Sequence, residues 1–340
     1  NIPAPPSPLI DALKSGNAIA FVGSGLSVAA GGPKWEKILK NIVDYSFQVK
    51  PNSNKKIQKA KMAVDNGKYL DAATLLCSVL GENIFKDSVC KQLNTITGEN
   101  AYPTISHYIL MRLDFKCFIT TNYDTLLEQA VKPKGIQVWT HSTRNLASLI
   151  NGTEKPFILK IHGDVNNSDD IIIKREDYAK LYTNYVVPDI LKNLLRNHPF
   201  WVGYGHQDPH ISYYLDELNK KLGLSCGTAL IHKDDHLLIA KLNSMNIFSS
   251  ELSTYDDIPA YLNLLLMETT NKIVFEVVLS NPIPYKTEIT KKANKITEVI
   301  NSSCEFEAEF IENISYSEKL YFIVDVTNFE RLFEALSSDQ

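Results

Sequence analysis

Ala18-Ile19-Ala20-Phe21-Val22, followed at once by Gly23-Ser24-Gly25-Leu26-Ser27, is the stretch that decides the fold. Five consecutive apolar residues suit a strand covered on both faces, as a parallel sheet between two helix layers requires. The glycines let backbone amides approach a ligand where a Cβ would stand in the way. A helix N-terminus beyond such a turn favours anionic oxygens. The stretch lacks the third glycine of a GxGxxG fingerprint, because Ala29 and Ala30 precede Gly31-Gly32, and it lacks the Lys-Ser/Thr ending of a P-loop. Taken alone, it reads equally well as a tight strand-to-helix turn with no ligand. Its place at the end of the first strand, where open α/β sheets bind nucleotides, favours a ligand.

Working outward, apolar runs of strand length alternate with amphipathic helical stretches, the pattern of a parallel α/β sheet. Strands are expected at Cys117–Thr120, Gln137–Thr140, Phe157–Ile161, Phe200–Val202, Thr228–Ile231 and Ile247–Ser249. Helices are expected at Pro8–Ser15, Trp35–Phe47, Pro103–Leu113 with Pro103 in the first turn, Thr125–Val131, Ile190–Arg196 and Pro259–Leu266. The stretch Asn52–Leu93 is rich in Lys, Ala and Leu at helical spacing and reads as an insertion of two or three helices. The fold class is therefore α/β, a Rossmann-like parallel sheet over 1–267 with a helical insertion at about 52–100. Beyond Glu268 come a strand at Lys272–Leu279, a helix at Ile289–Ile300, strands at Phe306–Phe310 and Leu320–Val326 and a helix at Phe329–Leu336. Residues 268–340 thus read as a small α+β module, near the lower end of independent domain size.

Three more strand ends carry polar residues. Thr120-Thr121-Asn122-Tyr123-Asp124 follows one core run, Lys160-Ile161-His162-Gly163-Asp164 a second, and Gly203-Tyr204-Gly205-His206-Gln207-Asp208-Pro209 a third. In a parallel sheet these C-terminal edges face the same side, where ligands sit. Each cluster also has a plainer reading. Thr121 or Asp124 can cap a helix, His162-Gly163 can be a satisfied turn, and Asp208-Pro209 can be an N-cap followed by proline at N1. Four such edges in one chain make a site more credible than any one of them does.

Composition narrows the function classes. Acidic residues outnumber basic ones, 39 to 35, for a net charge of −4, so no basic excess points to direct nucleic-acid binding or to an anionic membrane. No apolar stretch is long enough to span a bilayer. The five cysteines, Cys77, Cys90, Cys117, Cys226 and Cys304, are scattered and never form CxxC. This argues against a disulfide framework and a zinc ribbon, and suits a reducing, cytoplasmic setting. No metal site is expected.

The ordered set GSGLS, TTNYD, KIHGDV and VGYGHQDP, over roughly Gly16 to Leu266, resembles the Sir2 superfamily. The TTNYD and HGD forms are more similar to the bacterial Sir2-like NADases of anti-phage defence than to protein deacylases. The resemblance implies cleavage of the nicotinamide–ribose bond of NAD⁺, giving nicotinamide and ADP-ribose, with NAD⁺ as substrate. On that basis Asn122 would hold water or the ribose hydroxyls, and His162 would act as general base, since imidazole titrates near neutrality. Gly23, Ser24 and Gly25 would cradle the diphosphate, and Ser27 a phosphate or ribose oxygen. Thr121 and Gly163 would line the nucleotide, and Asp124 would orient the cluster or cap the next helix. Gly203, Gly205 and Asp208 would close over the adenosine side. Deacylases of the superfamily carry a four-cysteine zinc module that this chain lacks; the helical stretch at Asn52–Leu93 stands as its replacement or as a subunit contact. The resemblance also implies a homo-oligomer and a second defence protein, such as a HerA-type ATPase or an Argonaute. The rival readings are an NAD⁺-dependent deacylase and a non-catalytic sensor of NAD⁺ or ADP-ribose.

Overall fold

The computed structural model describes residues 2–97, 102–131, 135–183, 186–206, 208–223, 227–278, 290–298, 309–311 and 319–325. Seven strands make one parallel sheet: β1 (Ala18–Val22), β2 (Phe118–Thr120), β3 (Gln137–Thr140), β4 (Phe157–Lys160), β5 (His198–Val202), β6 (Thr228–His232) and β7 (Phe248–Leu252). Their order is β3-β4-β2-β1-β5-β6-β7. The chain lays β2 to β4 on one side of β1 and then crosses to build β5 to β7 on the other. The strand order therefore reverses between β1 and β5, and open α/β sheets bind their ligands at that crevice.

Side-chain alternation explains why β1 is apolar throughout. Ala18, Ala20 and Val22 enter one core cluster, with Leu9 and Leu13 of the first helix and Tyr261, Leu262 and Leu265 of the helix Ile258–Thr270. Ile19 and Phe21 enter the opposite cluster, with Val187 and Leu191 of the helix Val186–Leu194 and Ile211 and Leu215 of the helix Pro209–Leu222. A strand covered on both faces has no position where a polar side chain would be cheap.

The insertion contains three helices, Asn54–Asp65, Tyr69–Leu80 and Glu82–Thr97. With the helix Trp35–Val49 they bury a third core, which also takes in Tyr123, Val165, Ile171 and Ile173 from the loops beside the sheet edge. Ionic contacts add to that packing: Lys174 Nζ lies 2.6 Å from Glu82, Lys86 donates to the Asp169 carbonyl at 3.2 Å, and Arg175 pairs with Asp71.

Beyond the main sheet, β8 (Lys272–Val278), β9 (Glu309–Ile311) and β10 (Lys319–Asp325) form an antiparallel sheet ordered β8-β10-β9. One face, with Val274, Ile311, Tyr321 and Ile323, joins the core below the main sheet, and Tyr321 lies 4.7 Å from Tyr108 between ring centroids. The other face, with Leu320, Phe322 and Val324, packs on Ala293 of the helix at 290–298.

Several local expectations are corrected. Helix starts at Ser24, directly on Gly23, and runs to Ala29, within the stretch read as a glycine-rich turn ahead of the helix at Trp35. The helix placed at Pro103–Leu113 spans Ile105–Leu110 and begins at Thr104, whose hydroxyl forms a capping box with His107. Pro103 therefore precedes the cap instead of opening the helix. Helices at Leu146–Gly152, Arg175–Thr183 and His236–Ser244 carry too little periodic apolar signal to be read from the sequence alone. The expected helix at Phe329–Leu336 and most of the expected strand at Phe306–Phe310 lie outside the described residues.

Two buried histidines make stability depend on pH. Burial pushes His107 down from 6.5 to about 4, while its Nδ1 accepts the Thr104 amide at 3.1 Å. Burial, aided by the Lys241 ammonium, pushes His206 down to about 3. Both folded values lie below the unfolded one, so their contribution is complete above pH 6.5 and is lost as pH falls through about 4 for His107 and about 3 for His206. We expect urea-unfolding stability to fall as pH drops below 6.5, with a slope approaching about 1.4 kcal/mol per pH unit for each ring until its folded value is passed. His107→Gln should remove about half of that slope; an unchanged slope would contradict this assignment.

Candidate active site

The strand ends are level. Val22 pairs with Thr120 on one side and with Val202 on the other, Thr120 pairs with Lys160, and Lys160 pairs with Thr140. Five strands therefore leave the sheet at one rung. Asn122 and His162 each stand two residues past paired positions on adjacent strands, and Gly23 and Gly203 each stand one residue past.

At the crevice the backbones of β1 and β5 touch. Gly23 N donates to Val202 O at 2.9 Å and Gly25 N to Gly203 O at 2.9 Å. A Cβ on Gly23 would run into the Gly203 carbonyl, and one on Gly203 would sit 2.6 Å from Leu26 N. Gly203 also has φ +63°, a conformation that favours glycine. The amides of Gly23 and Gly25 are thus engaged within the fold, while Ser24 is exposed at the turn and Gly205 is exposed across the crevice.

Next to that turn runs a chain of side-chain hydrogen bonds. Asn122 Nδ2 donates to Ser27 Oγ at 3.0 Å, and Ser27 Oγ donates to Asp124 Oδ2 at 2.7 Å. Asp124 Oδ1 accepts the Leu126 amide at 3.1 Å, so this carboxylate both orients the cluster and caps the following helix. The Asn122 backbone amide donates to Thr120 Oγ1 at 3.0 Å, and that hydroxyl donates to Val22 O at 2.8 Å. With its Nδ2 held by Ser27, the Asn122 amide turns its Oδ1 acceptor away from that chain. Thr121 is half-buried beside it.

Lys160 anchors both turns. Its side chain is fully buried, and Nζ donates to the carbonyls of Tyr123 at 3.0 Å and Asp124 at 2.6 Å, to Glu128 at 3.0 Å and to Asp164 at 2.5 Å. Burial opposes its charge, but Glu128 and Asp164 outweigh burial and hold the ammonium above its ordinary value. Burial in turn pushes the Glu128 carboxyl up, against the pull of the Lys160 ammonium.

His162 is buried with its Nε2 3.4 Å from Asp208 Oδ2 and 3.4 Å from the Tyr182 hydroxyl. Its ring meets Tyr178 edge-on at 5.0 Å between centroids. Gly163, at φ +96°, packs against the Asp170 backbone, where a Cβ would clash. Asp208 Oδ1 caps the helix Pro209–Leu222 through the His210 amide at 2.8 Å and the Ile211 amide at 3.3 Å. The structure thus gathers Gly23, Ser27, Thr121, Asn122, Asp124, His162, Gly163, Gly203 and Asp208 along one edge. Asp208, expected over the adenosine side, lies against His162.

Sequence reading passed over Tyr178, Tyr182 and the end of β3. There Thr140 Oγ1 and Ser142 Oγ donate to Asp170 Oδ2 at 2.9 and 2.6 Å, and His141 keeps a buried Nδ1 without a partner among the described residues. Burial lowers the His141 ring below its ordinary value. The same signal, an apolar run followed by polar residues, was present in Val138-Trp139-Thr140-His141-Ser142. The tyrosines left none, because they reach the site from a helix remote in sequence. Among the described residues no group of His, Cys, Asp and Glu has the arrangement of a metal site, and no helix is long and apolar enough to cross a membrane.

Lys160→Met would leave Glu128, Asp164 and two carbonyls facing a methyl group. We expect it to cost about 3–5 kcal/mol of unfolding free energy, as the loss of one partner of a buried ion pair does. A loss below about 1 kcal/mol in urea titration would contradict the anchoring role.

Residues 116–249 match the family model described as a SIR2-like domain, which takes in β2 to β6 and both Asn122 and His162. The chain is 24% identical to the NAD(+) hydrolase ThsA of Acinetobacter baumannii (strain 532279) over 62% of its own length and 41% of that protein. It is 26% identical to the NAD(+) hydrolase ThsA of Enterococcus faecium over 61% and 41% of the two lengths. It is 25% identical to Defense-associated sirtuin 2 of Bacillus subtilis over 62% and 20%. The alignments thus take in about two fifths or less of these three relatives. Among solved structures, a Sir2 homolog–NAD complex is 13% identical, with a TM-score of 0.40, over 79% of this chain and 98% of that one. The chain carries a SIR2-like domain.

Proposed function

We propose that the protein hydrolyses NAD⁺ to nicotinamide and ADP-ribose, and that it depletes NAD⁺ in anti-phage defence. The observation that carries the reading is the placement of Asn122 and His162 at equal height on adjacent strand ends, beside the glycine-lined crevice. Relatives named as NAD(+) hydrolases and as a defence-associated sirtuin support the substrate and the setting.

The bond to break joins ribose C1′ to the pyridinium nitrogen. Nicotinamide leaves with the bonding pair and becomes neutral, so no acid is needed at the leaving group. The ribose carbon then resembles an oxocarbenium ion, as in other glycosyl transfers. The Asn122 Oδ1 acceptor would hold a ribose hydroxyl or the attacking water, and its partial negative charge faces the developing cation. Water adds its oxygen to C1′ and gives a proton to His162, which passes it to solvent. The balance is NAD⁺ and water in, and nicotinamide, ADP-ribose and one proton out. Gly23, Ser24 and Gly25 would lie along the diphosphate, and Gly205 would face the adenosine side. A cytoplasmic setting suits this reading, since Cys77, Cys90 and Cys117 are free and buried. An enzyme that destroys NAD⁺ endangers its own cell, so assembly or a partner is expected to gate it.

The test is nicotinamide release from NAD⁺ by the purified protein, with and without an acetylated peptide. Release should not need the peptide, and His162→Ala or Asn122→Ala should lower it by about 10²–10⁴-fold while the unfolding midpoint stays within a few degrees. Release only with the peptide would make the protein a deacylase. Binding of NAD⁺ without release, alone or in its assembled form, would make it a sensor.

A further inference from the structure

The partner of His162 comes from the other half of the sheet. His162 follows β4 and Asp208 follows β5, and the ends of β2 and β1 lie between them. At a strand spacing of about 4.8 Å, three steps separate the two strands. The side chains nevertheless meet at 3.4 Å, with the Tyr182 hydroxyl 3.4 Å from His162 Nε2 and donating to Asp208 Oδ2 at 3.2 Å. Tyr182 is held in turn by its stack on His210, with centroids 4.1 Å apart and planes at 12°. The two Asp208 oxygens are used separately. Oδ1 takes two amides at the start of its helix, and Oδ2 takes His162 and Tyr182.

We propose that Asp208, steadied by Tyr182, is a positioning residue for the base, fixing His162 with its proton on Nε2 and its lone pair on Nδ1. Asp208 Oδ2 can only accept, and the tyrosine hydrogen is committed to it, so the nitrogen beside them must donate. A carboxylate behind a histidine commonly sets which nitrogen carries the proton and which way the ring faces. Burial works against the Asp208 charge, but His162 and the two helix amides outweigh it and hold the carboxyl below its ordinary value. The helix N-terminus behind it favours the anion as well. This departs from the expectation that Asp208 closes over adenosine, and it joins the two halves of the sheet through the base itself.

The inference rests on reading His162 as the base, so the test has two independent readouts. The variant is Asp208→Asn, because asparagine caps a helix as well as aspartate does. The first readout needs no turnover: long-range ¹H–¹⁵N correlation of histidine-labelled full-length protein, with His162 assigned by its loss in His162→Gln. We expect the wild-type ring to carry its proton on Nε2 and the Asp208→Asn ring to lose that preference. A proton on Nδ1 in the wild type, or a preference unchanged in the variant, would overturn the proposal. The second readout is nicotinamide release. Asp208→Asn should lower kcat on the order of 100-fold with KM changed less than about twofold, and Tyr182→Phe should lower kcat about fivefold. A raised KM with kcat intact would return Asp208 to the nucleotide, and a raised kcat would make the pair a latch; either overturns the proposal. The expected tautomer in a protein that binds but never cleaves NAD⁺ would leave the positioning intact and remove the hydrolase reading.

Discussion

One buried ammonium group, that of Lys160, holds together the two turns that carry Asn122 and His162. Lys160 is the last residue of β4, and its side chain crosses to the carbonyls of Tyr123 and Asp124 at the end of β2 while also meeting Asp164 on its own turn. A fully buried charge is tolerated only when its donors are satisfied and a counter-ion is at hand. Here that requirement dictates geometry: neither turn can shift without stranding the charge. Asn122 and His162 are therefore fixed relative to each other by a residue that need not touch substrate.

The rest of the edge follows from register and from the absence of side chains at the crevice. Because five strands end at one rung, the residues just beyond them emerge side by side without any loop having to reach. Close approach of Gly23 to Gly203 then seals β1 against β5 where the strand order reverses. The helical insertion braces the same edge from outside. Lys86 holds the Asp169 carbonyl, Glu82 holds Lys174, and Ile172 N donates to His162 O at 2.9 Å, so the loop beside His162 is tied both to the base and to the insertion.

The parts of the fold written in local pattern were legible from the sequence. Buried strands such as Ala18–Val22 and Phe157–Lys160 announce themselves because both faces are covered and no polar residue interrupts them. The polar residues after them were legible for the same reason, since the change from apolar run to polar cluster is abrupt. What was not legible depends on contacts between distant segments. Tyr182 and Asp208 are 26 residues apart in sequence and meet only because the last turn of the helix Arg175–Thr183 comes against the start of the helix Pro209–Leu222. The role of Lys160 was hidden too, since a lysine ending an apolar run usually marks a strand leaving the core. Helix at Ser24–Ala29 was masked by glycines, whose weak helix propensity is overridden by packing against Gly203. The small C-terminal sheet was legible as strands, but not as a layer sharing the main core through Tyr321 and Tyr108.

The central claim is that the nicotinamide ribose sits at this edge, between Asn122 and His162. A crystal structure with carba-NAD⁺, which keeps the shape of the dinucleotide but cannot lose nicotinamide, tests it most directly. The account predicts ribose hydroxyls within about 3.2 Å of Asn122 Oδ1 and of the His162 ring, with the diphosphate along Ser24. A dinucleotide bound with its nicotinamide ribose away from both residues, or bound elsewhere on the protein, would contradict it.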